Sequence, residues 1–230
     1  MQPESAMIFA AGFGTRMGAL TKTMPKPLVP VLGKPMIDHA LDLLTDAGVQ
    51  SVFVNTHYFA DQLENHLSTY PSVNTIHEEP KVLETGGGLK NALPLIGNKP
   101  VFTLNCDALW FGENPATQLA RLWVPDEMDG LLLVLKCANT FAYTGQGDFF
   151  LTDDGRLQRN GKPAPYVYSG IQIIKTDILK DISKDCFSIK LLWEKMIACD
   201  RLYGAVYEGN WVDVGHPAGI EIAEEKAANV

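Results

Sequence analysis

Short apolar runs alternate with segments of helical spacing along the first half of the chain. Four of these runs predict strands, at residues 7–11, 52–55, 75–78 and 101–105. The clearest helix is predicted after the first strand, because apolar side chains recur there at helical spacing and Gly48 follows them as a C-terminal cap. Its apolar positions are Ile37, Ala40, Leu41, Leu44 and Ala47. Such alternation is typical of a parallel sheet covered by helices.

Beyond about residue 110 the pattern changes to strand candidates separated by turns rich in Asn, Gly and Asp. These candidates lie at residues 130–135, 149–152, 167–174 and 202–207, with an extended segment at 211–215. A helix is predicted around Trp193 and another after Pro217. The expected fold is α/β: a Rossmann-like, mixed but mainly parallel sheet with helices on both faces, in one domain spanning 1–230. Because no hexapeptide repeat follows the core, no C-terminal β-helix is expected.

Composition places the chain among compact acidic proteins. At 230 residues, with 46% hydrophobic and 20% charged side chains, it is long enough to bury one core without disulfides. The net charge of -8 and the lack of a basic run argue against nucleic-acid binding. The four cysteines form no CxxC pair, so reduced thiols are expected, and no apolar stretch approaches the roughly 18 residues of a membrane span. We expect a cytoplasmic protein with no nucleic-acid or membrane partner; the sequence indicates no oligomeric state.

A glycine-rich loop directly follows the first predicted strand. Gly12 and Gly14 allow the backbone to approach phosphate oxygens closely while its amides act as donors. Neither a P-loop nor a dinucleotide motif is present, because GxxxxGK[ST] is absent and Met17 occupies the third glycine position of GxGxxG. Arg16 can grip phosphate bidentately, and Lys26 stands between two prolines as a compact charge. The loop predicts a triphosphate site, the alternative being a tight turn beside a solvated lysine.

Two aspartates far apart in sequence are candidates for a metal site. Asp107 follows the fourth predicted strand, and ligands gather at the carboxyl ends of strands in open α/β sheets. Asp213 lies between two valines in the extended segment near the C-terminus. Two such carboxylates could share one Mg²⁺, which prefers one or two carboxylates together with phosphate oxygens and water. The alternatives are a strand-end turn for Asp107 and a helix cap for Asp213.

The segments AAGFGTRM at 10–17 and MPKPLVPVLGKPMI at 24–37 resemble the signature of the sugar-1-phosphate nucleotidyltransferases. The resemblance implies that Ala11, Gly12, Gly14, Thr15 and Arg16 line the triphosphate. It also implies that Lys26 contacts the phosphates around the new bond and that Asp107 and Asp213 hold Mg²⁺. Two positions depart from the usual family pattern: Ala19 replaces a proline and Cys106 replaces a glycine.

The segment LETGGG at 83–88 is similar to the small bacterial N-acetylmuramate 1-phosphate uridylyltransferases. In relatives this segment lies against the nucleobase and ribose, which implies nucleotide contacts for Glu84, Gly86, Gly87 and Gly88. Three glycines in a row are unfavourable inside a helix, so we expect them to lie before one, with a flat ligand on their backbone; the alternative is a flexible loop. Similarity around 147–149 and 168–171 makes Asp148, Ser169 and Gly170 candidates for sugar contacts, although 169–170 could equally be a strand bulge.

The expected activity is transfer of a nucleotidyl group from a nucleoside triphosphate to a sugar 1-phosphate, with release of pyrophosphate. UTP and N-acetylmuramate 1-phosphate are the first expected substrates. Residues up to about 110 would form the nucleotide-binding half, and residues from about 111 the sugar-phosphate-binding half. Two alternatives stay open: use of GTP or CTP with another sugar or alcohol phosphate, and a non-catalytic protein that senses nucleotide sugars. No catalytic histidine is expected, because no serine or cysteine motif accompanies the five histidines.

Overall fold

A computed structural model describes residues 2–228 of the chain. Its strands, in chain order, are β1 (Ser5–Phe9), β2 (Pro30–Val31), β3 (Lys34–Pro35), β4 (Ser51–Thr56), β5 (Val73–His77), β6 (Val101–Asn105), β7 (Ala108–Phe111), β8 (Gly130–Lys136), β9 (Thr140–Phe141), β10 (Phe150–Leu151), β11 (Leu157–Gln158), β12 (Tyr166–Ile174), β13 (Leu202–Val206) and β14 (Asn210–Asp213). Its α-helices are α1 (Met36–Asp46), α2 (Ala60–Leu67), α3 (Glu84–Ile96), α4 (Pro115–Leu122), α5 (Lys190–Ala198) and α6 (Pro217–Ala227). Short 3₁₀ turns at Thr15–Thr21 and Lys26–Leu28 follow β1.

One seven-stranded sheet forms the centre of the molecule, in the order β13-β8-β12-β6-β1-β4-β5. Strands β6, β1, β4 and β5 are parallel neighbours, and β13 is parallel to β8. Strand β12 runs antiparallel to both β6 and β8. The carboxyl ends of β6, β1, β4 and β5 therefore meet at one edge, where the loops that follow them come together.

Helices cover both faces of this sheet because successive strand residues point in opposite directions. In β1, Ala6 and Ile8 pack in one apolar cluster with α1, α2 and α4, whereas Met7 packs in a second cluster with α3 and α5. A third and smaller cluster lies around the sheet β7-β14-β9, where Val212 and Val214 pack with Ala223 of α6. The predicted α/β architecture, mainly parallel and covered on both faces, is confirmed.

Most predicted elements are present with shifted ends. The first helix ends as expected, since Gly48 has φ 78 directly beyond it. The strand expected at 149–152 is shorter, because β10 contains two residues. The expectation that the glycine run precedes a helix is wrong: Gly86, Gly87 and Gly88 lie inside α3, which also continues past Pro94.

Residues 2–228 contain no helix long and apolar enough to cross a membrane. All four cysteines are free thiols, in agreement with the expectation that none forms a disulfide. The predicted cytoplasmic location stays a prediction.

Candidate active site

The loop after β1 depends on glycine at position 14. Gly14 has φ 64, in the left-handed region that side chains with a Cβ rarely adopt. A Cβ there would lie 2.9 Å from the Lys26 Cβ and 2.9 Å from the Thr21 Cγ2. The Thr21 hydroxyl donates to the Gly14 carbonyl at 3.0 Å. The loop is thereby held directly against the segment that carries the lysine.

Lys26 points from its 3₁₀ turn to the end of β6. Its ammonium donates to Oδ2 of Asp107, and its side chain is 13% exposed. The flanking Pro25 and Pro27 are buried, and Pro27 lies within the same turn. Because proline fixes its own φ and restricts the residue before it, this backbone is confined and the ammonium has a defined position.

The two candidate metal aspartates are brought together by pairing between β7 and β14. Asp107 lies in the turn between β6 and β7, and Asp213 pairs in register with Ala108. The Val214 amide donates to the Asp107 carbonyl at 3.0 Å. Arg16 bridges both carboxylates, with 3.3 Å from Nη2 to Asp107 Oδ2 and 3.3 Å from Nη1 to Asp213 Oδ2. Residues from the two ends of the chain thus form one charged cluster.

Residue 215 is glycine where the charged cluster leaves no room for a side chain. A Cβ on Gly215 would lie 2.7 Å from Arg16 Nη2, 2.8 Å from Asp213 Oδ1 and 2.9 Å from Asp107 Oδ2. Oxygens of both aspartates therefore converge on one point, where Arg16 now neutralises them. Within residues 2–228 no group of three or more His, Cys, Asp or Glu side chains is arranged to hold a metal ion. A convergent pair of carboxylates is nevertheless a donor set that fits Mg²⁺, which takes its remaining ligands from phosphate and water.

Charge at this cluster is balanced locally. Burial by itself would raise the pKa of the Asp107 carboxyl, but Lys26 and Arg16 outweigh it and hold that pKa below its usual value. Burial, together with the Asp107 charge, raises the pKa of the neighbouring Cys106 thiol to about 12. The thiol therefore stays protonated at neutral pH and is no nucleophile.

A cleft of about 250 Å³ opens beside this cluster. It is lined by residues 9–12 at the end of β1 and in the glycine-rich loop, by Lys26 and the turn 105–107, and by Val82, Glu84 and Thr85. The structure thus brings Ala11, Gly12, Lys26, Asp107 and Glu84 to one cavity. Thr15 is exposed at the start of the following turn and does not line this cleft.

The three glycines of α3 face protein and not the cleft. A Cβ on Gly86 would overlap the Phe187 ring, and one on Gly87 would overlap the Asp185 carbonyl. The amides of Gly86 and Gly87 donate to the Phe187 carbonyl at 2.9 and 3.0 Å. Their small size is required for packing between distant segments; the predicted nucleotide contacts of Gly86, Gly87 and Gly88 stay predictions. Glu84 and Thr85, which precede them, are the residues of this segment that reach the cavity.

A second cleft, of about 580 Å³, is lined by Arg16 and Asp213. Tyr143 and His216 line it as well. The Tyr143 hydroxyl accepts from the Gly147 amide at 3.2 Å. Burial and the nearby Asp148 raise the pKa of Tyr143, so its hydroxyl is neutral and available as a donor. The charged cluster therefore contributes Lys26 and Asp107 to the first cleft and Arg16 and Asp213 to the second.

The residues predicted to contact the sugar lie in different environments. Asp148 accepts from the Tyr168 amide at 3.1 Å and lines a third cleft with Arg159 and Lys162, neither of which the sequence had indicated. Ser169 is fully buried, and its carbonyl accepts from the Trp211 indole at 2.8 Å. The register of β12 shifts between Tyr168 and Gln172, which confirms the bulge that the sequence left open at 169–170. The roles of Asp148, Ser169 and Gly170 with sugar stay predictions.

Aromatic side chains near Asp148 and Ser169 belong to the core. Trp193 is 2% exposed and donates to the Gln172 side chain at 2.7 Å. Phe149 is fully buried and packs edge-on against it. The histidine side chains are bonded to neighbouring carbonyl or carboxylate oxygens; these are His39, His57, His66, His77 and His216.

Two polar residues escaped the sequence analysis. Asn55, near the end of β4, lines the 250 Å³ cleft, and Glu78, directly after β5, is buried. Both stand at the carboxyl end of a parallel strand, as Asp107 does. A polar residue at the end of a predicted strand was the sequence feature that could have indicated them, but neither residue belongs to a recognisable motif.

Comparison with known proteins identifies the family. The MobA-like NTP transferase domain family matches residues 6–162. An N-acetylmuramate alpha-1-phosphate uridylyltransferase of Caulobacter vibrioides is 41% identical over 98% of both chains. A mannose-1-phosphate guanyltransferase of Hypocrea jecorina is 32% identical over 92% of this chain, which spans 60% of that protein.

A solved UDP-glucose pyrophosphorylase, complexed with UDP-glucose, superimposes with a TM-score of 0.79 at 17% identity. The superposition covers 99% of each chain and supports the fold. The assignment rests on the family match and on the relative that is 41% identical over 98% of both chains. The chain belongs to the MobA-like NTP transferase family and is a sugar-1-phosphate nucleotidyltransferase.

Proposed function

We propose that this enzyme transfers the uridylyl group of UTP to N-acetylmuramate 1-phosphate, with Mg²⁺ as cofactor. The observation that carries the reaction is the cluster in which Arg16 bridges Asp107 and Asp213 while Lys26 holds Asp107, and whose residues line two clefts. The choice of substrates is supported by the relative that is 41% identical over 98% of both chains.

The reaction is an in-line displacement at the α-phosphorus of the triphosphate. A phosphate oxygen of the sugar 1-phosphate forms the new P–O bond. The bond between the α-phosphorus and the bridging oxygen of pyrophosphate breaks, and pyrophosphate leaves with the electron pair. The attacking oxygen is already anionic, so no general base is needed. Positioning and charge neutralisation are what the protein must supply.

Lys26 and Arg16 are the cations available for that purpose. Lys26 lines the cleft together with Gly12, so its ammonium can contact triphosphate oxygens that the loop amides also bind. Arg16 is 58% exposed at its side chain and lines the second cleft, so it can exchange carboxylate contacts for phosphate contacts. Asp107 and Asp213 would hold Mg²⁺. When bound, that ion neutralises charge on the phosphates and fixes their orientation.

The decisive test is pyrophosphate release by purified variants. We expect Lys26→Ala and Asp107→Ala to lower kcat by about 100-fold or more, since each removes preorganised charge from the site. Lys34→Ala is the matched control, because Lys34 also precedes a proline and pairs with an aspartate, Asp42, but on the surface. It should retain kcat within about twofold. Near-wild-type turnover by Lys26→Ala would contradict the proposal.

The substrates are tested by a panel of four triphosphates against several sugar 1-phosphates. A second candidate, GTP with mannose 1-phosphate, is favoured by the guanyltransferase that is 32% identical over 92% of this chain. We expect the highest kcat/KM for UTP with N-acetylmuramate 1-phosphate. A preference for GTP of tenfold or more, which is about 1.4 kcal/mol in transition-state binding, would replace the first candidate by the second.

A further inference from the structure

A buried chain of three hydrogen bonds runs beneath the 250 Å³ cleft that Gly12 and Lys26 line. The Ala10 amide donates to Asn55 Oδ1 at 2.7 Å. Asn55 Nδ2 donates to Glu78 Oε1 at 2.8 Å, and the Leu83 amide donates to Glu78 Oε2 at 2.8 Å. Asn55 is 3% exposed and Glu78 is 1% exposed. Water therefore cannot readily replace these bonds, and an unmade one would leave a buried group unsatisfied.

This chain joins two segments that line the cleft. Ala10 lines it at the start of the glycine-rich loop, whereas Leu83 lies between Val82 and Glu84, which also line it. Glu84 has φ 59, a conformation that is unfavourable for a residue with a side chain and so requires support from its neighbours. Asn55 lies in β4, and Glu78 directly follows β5, the parallel neighbour of β4. Two side chains at one end of the sheet thus fix both segments.

The direction of each bond is set by the backbone. An amide can only donate, so Asn55 must turn its oxygen toward Ala10 and its NH₂ toward Glu78. The Leu83 amide also donates, so Glu78 must accept at both oxygens. An amide at 55 and a carboxylate at 78 satisfy all three junctions.

The helix beneath the pair leaves room for it. A Cβ on Gly88 would lie 2.8 Å from Glu78 Oε1 and 2.9 Å from Asn55 Nδ2. Those distances are shorter than Cβ atoms tolerate, so any larger residue at position 88 would displace the Asn55–Glu78 bond. Glycine is therefore required at position 88 to leave room for the Asn55–Glu78 bond, whereas Gly86 and Gly87 are required for packing against the segment around Phe187.

We propose that Asn55 and Glu78 are positioning residues that hold the glycine-rich loop and the turn at Glu84 in register, and that they thereby set the affinity of the cleft for the triphosphate. The inference rests on the proposed function, since it assigns the nucleotide to this cleft. Glu78 does not line the cavity and acts through Asn55 and the Leu83 amide.

A swap of the two groups tests the pair. Asn55→Asp places a carboxylate oxygen against the Glu78 carboxylate, so that two acceptors face each other. Glu78→Gln places an NH₂ group against a donor at one of the two hydrogen bonds that residue 78 makes. The double variant restores all three, because the introduced amide can donate to the introduced carboxylate and accept from Leu83. We expect each single variant to raise the KM for the triphosphate about tenfold or more. The double variant should return to within about threefold of wild type, the remainder reflecting a charge moved nearer the cleft.

Three further measurements separate positioning from loss of stability. The KM for the sugar phosphate should stay within about twofold in every variant, because its binding does not depend on the glycine-rich loop and the turn at Glu84. Gln172→Glu is the matched control: its amide is fully buried, bonded to Thr103 and Trp193, and outside the cleft. It should lower Tm while leaving the KM for the triphosphate unchanged. Tm is recorded for all variants.

The outcomes are distinguishable. A double variant that folds but keeps the raised KM overturns the proposal, and so do single variants that lower Tm with an unchanged KM for the triphosphate. If a single variant does not fold, the double variant still decides the question. If the wild-type enzyme prefers another triphosphate, the proposed substrate fails, but the same cycle run with the preferred triphosphate tests the pair independently.

Discussion

Replacing Gly14 by alanine tests the geometry of the glycine-rich loop. The left-handed backbone at φ 64 costs alanine about 1–2 kcal/mol. The new Cβ would approach the Lys26 and Thr21 side chains to 2.9 Å, and relief of such overpacking typically costs about 1–3 kcal/mol. Together these effects lower the free energy of unfolding by about 3 kcal/mol. For a chain of this size that corresponds to a Tm lower by about 6–12 °C.

Gly12, two residues earlier, provides the control. A Cβ at Gly12 would meet no atom within 4 Å, and its backbone lies outside the left-handed region. Gly12→Ala should therefore change Tm by at most about 2 °C. Gly12 lines the cleft, however, so the added methyl group would stand where phosphate approaches the loop. We expect a higher KM for the triphosphate with nearly unchanged stability.

Thermal unfolding and initial-rate kinetics on both variants decide the matter. The reasoning requires a large fall in Tm for Gly14→Ala and a selective rise in KM for Gly12→Ala. A Tm for Gly14→Ala within about 2 °C of wild type would refute the packing argument, because the loop would then adjust without cost. Equal destabilisation by both substitutions would refute the claim that the two glycines serve different purposes.

Two further predictions concern parts of the molecule away from the cleft. Asp129 accepts from Lys175 and Arg201 at 2.9 Å each; burial would raise its pKa, but the two cations outweigh burial and lower it. Measured by urea unfolding at neutral pH, Asp129→Asn should lower the free energy of unfolding by about 1–3 kcal/mol. The difference from wild type should disappear as the pH falls below about 4 and through the lowered pKa of Asp129 in the folded state. A difference that stays constant down to about pH 2 would contradict this prediction. Trp211→Phe should cost about 1–3 kcal/mol by leaving the Ser169 carbonyl without its donor, and unchanged urea stability would show that another donor takes over.

The parts of the fold that the sequence predicted are those governed by local pattern. Helix α1 followed from apolar spacing, and its end followed from a glycine that adopts the left-handed conformation at position 48. The parallel strands followed from short apolar runs. Strand β10 was overestimated because an apolar run does not reveal how many residues find a pairing partner, and Phe149 makes an isolated bridge to Tyr166 instead.

The glycine run of α3 shows where local pattern fails. Glycine is a poor helix former, so the propensity of 86–88 alone argues against a helix. Glycine is required inside this helix because Phe187 and Asp185, far along the chain, occupy the space that side chains would take. Tertiary packing overrides propensity here, and nothing in the sequence indicates that these segments meet.

The sequence predicted those residues of the candidate site that have a recognisable sequence context. Arg16 and Lys26 stood out beside glycines and prolines, and Asp107 stood out at a strand end. That Asp213 lies beside Asp107 depended on the pairing of β7 with β14, which no spacing reveals. Asn55 and Glu78 were missed because a single polar residue at the end of a strand is common, and the bond between them exists only in three dimensions.

The continuous central sheet determines how the chain can be divided. The predicted boundary near residue 110 falls after β6, whose partner β12 belongs to the other half. A fragment ending there would expose one side of β6, with unpaired amides and carbonyls, and an apolar surface that α5 normally covers. We therefore expect the separated halves to aggregate rather than fold, and to regain structure chiefly when expressed together. Recombination between relatives should succeed at surface turns and fail at this boundary.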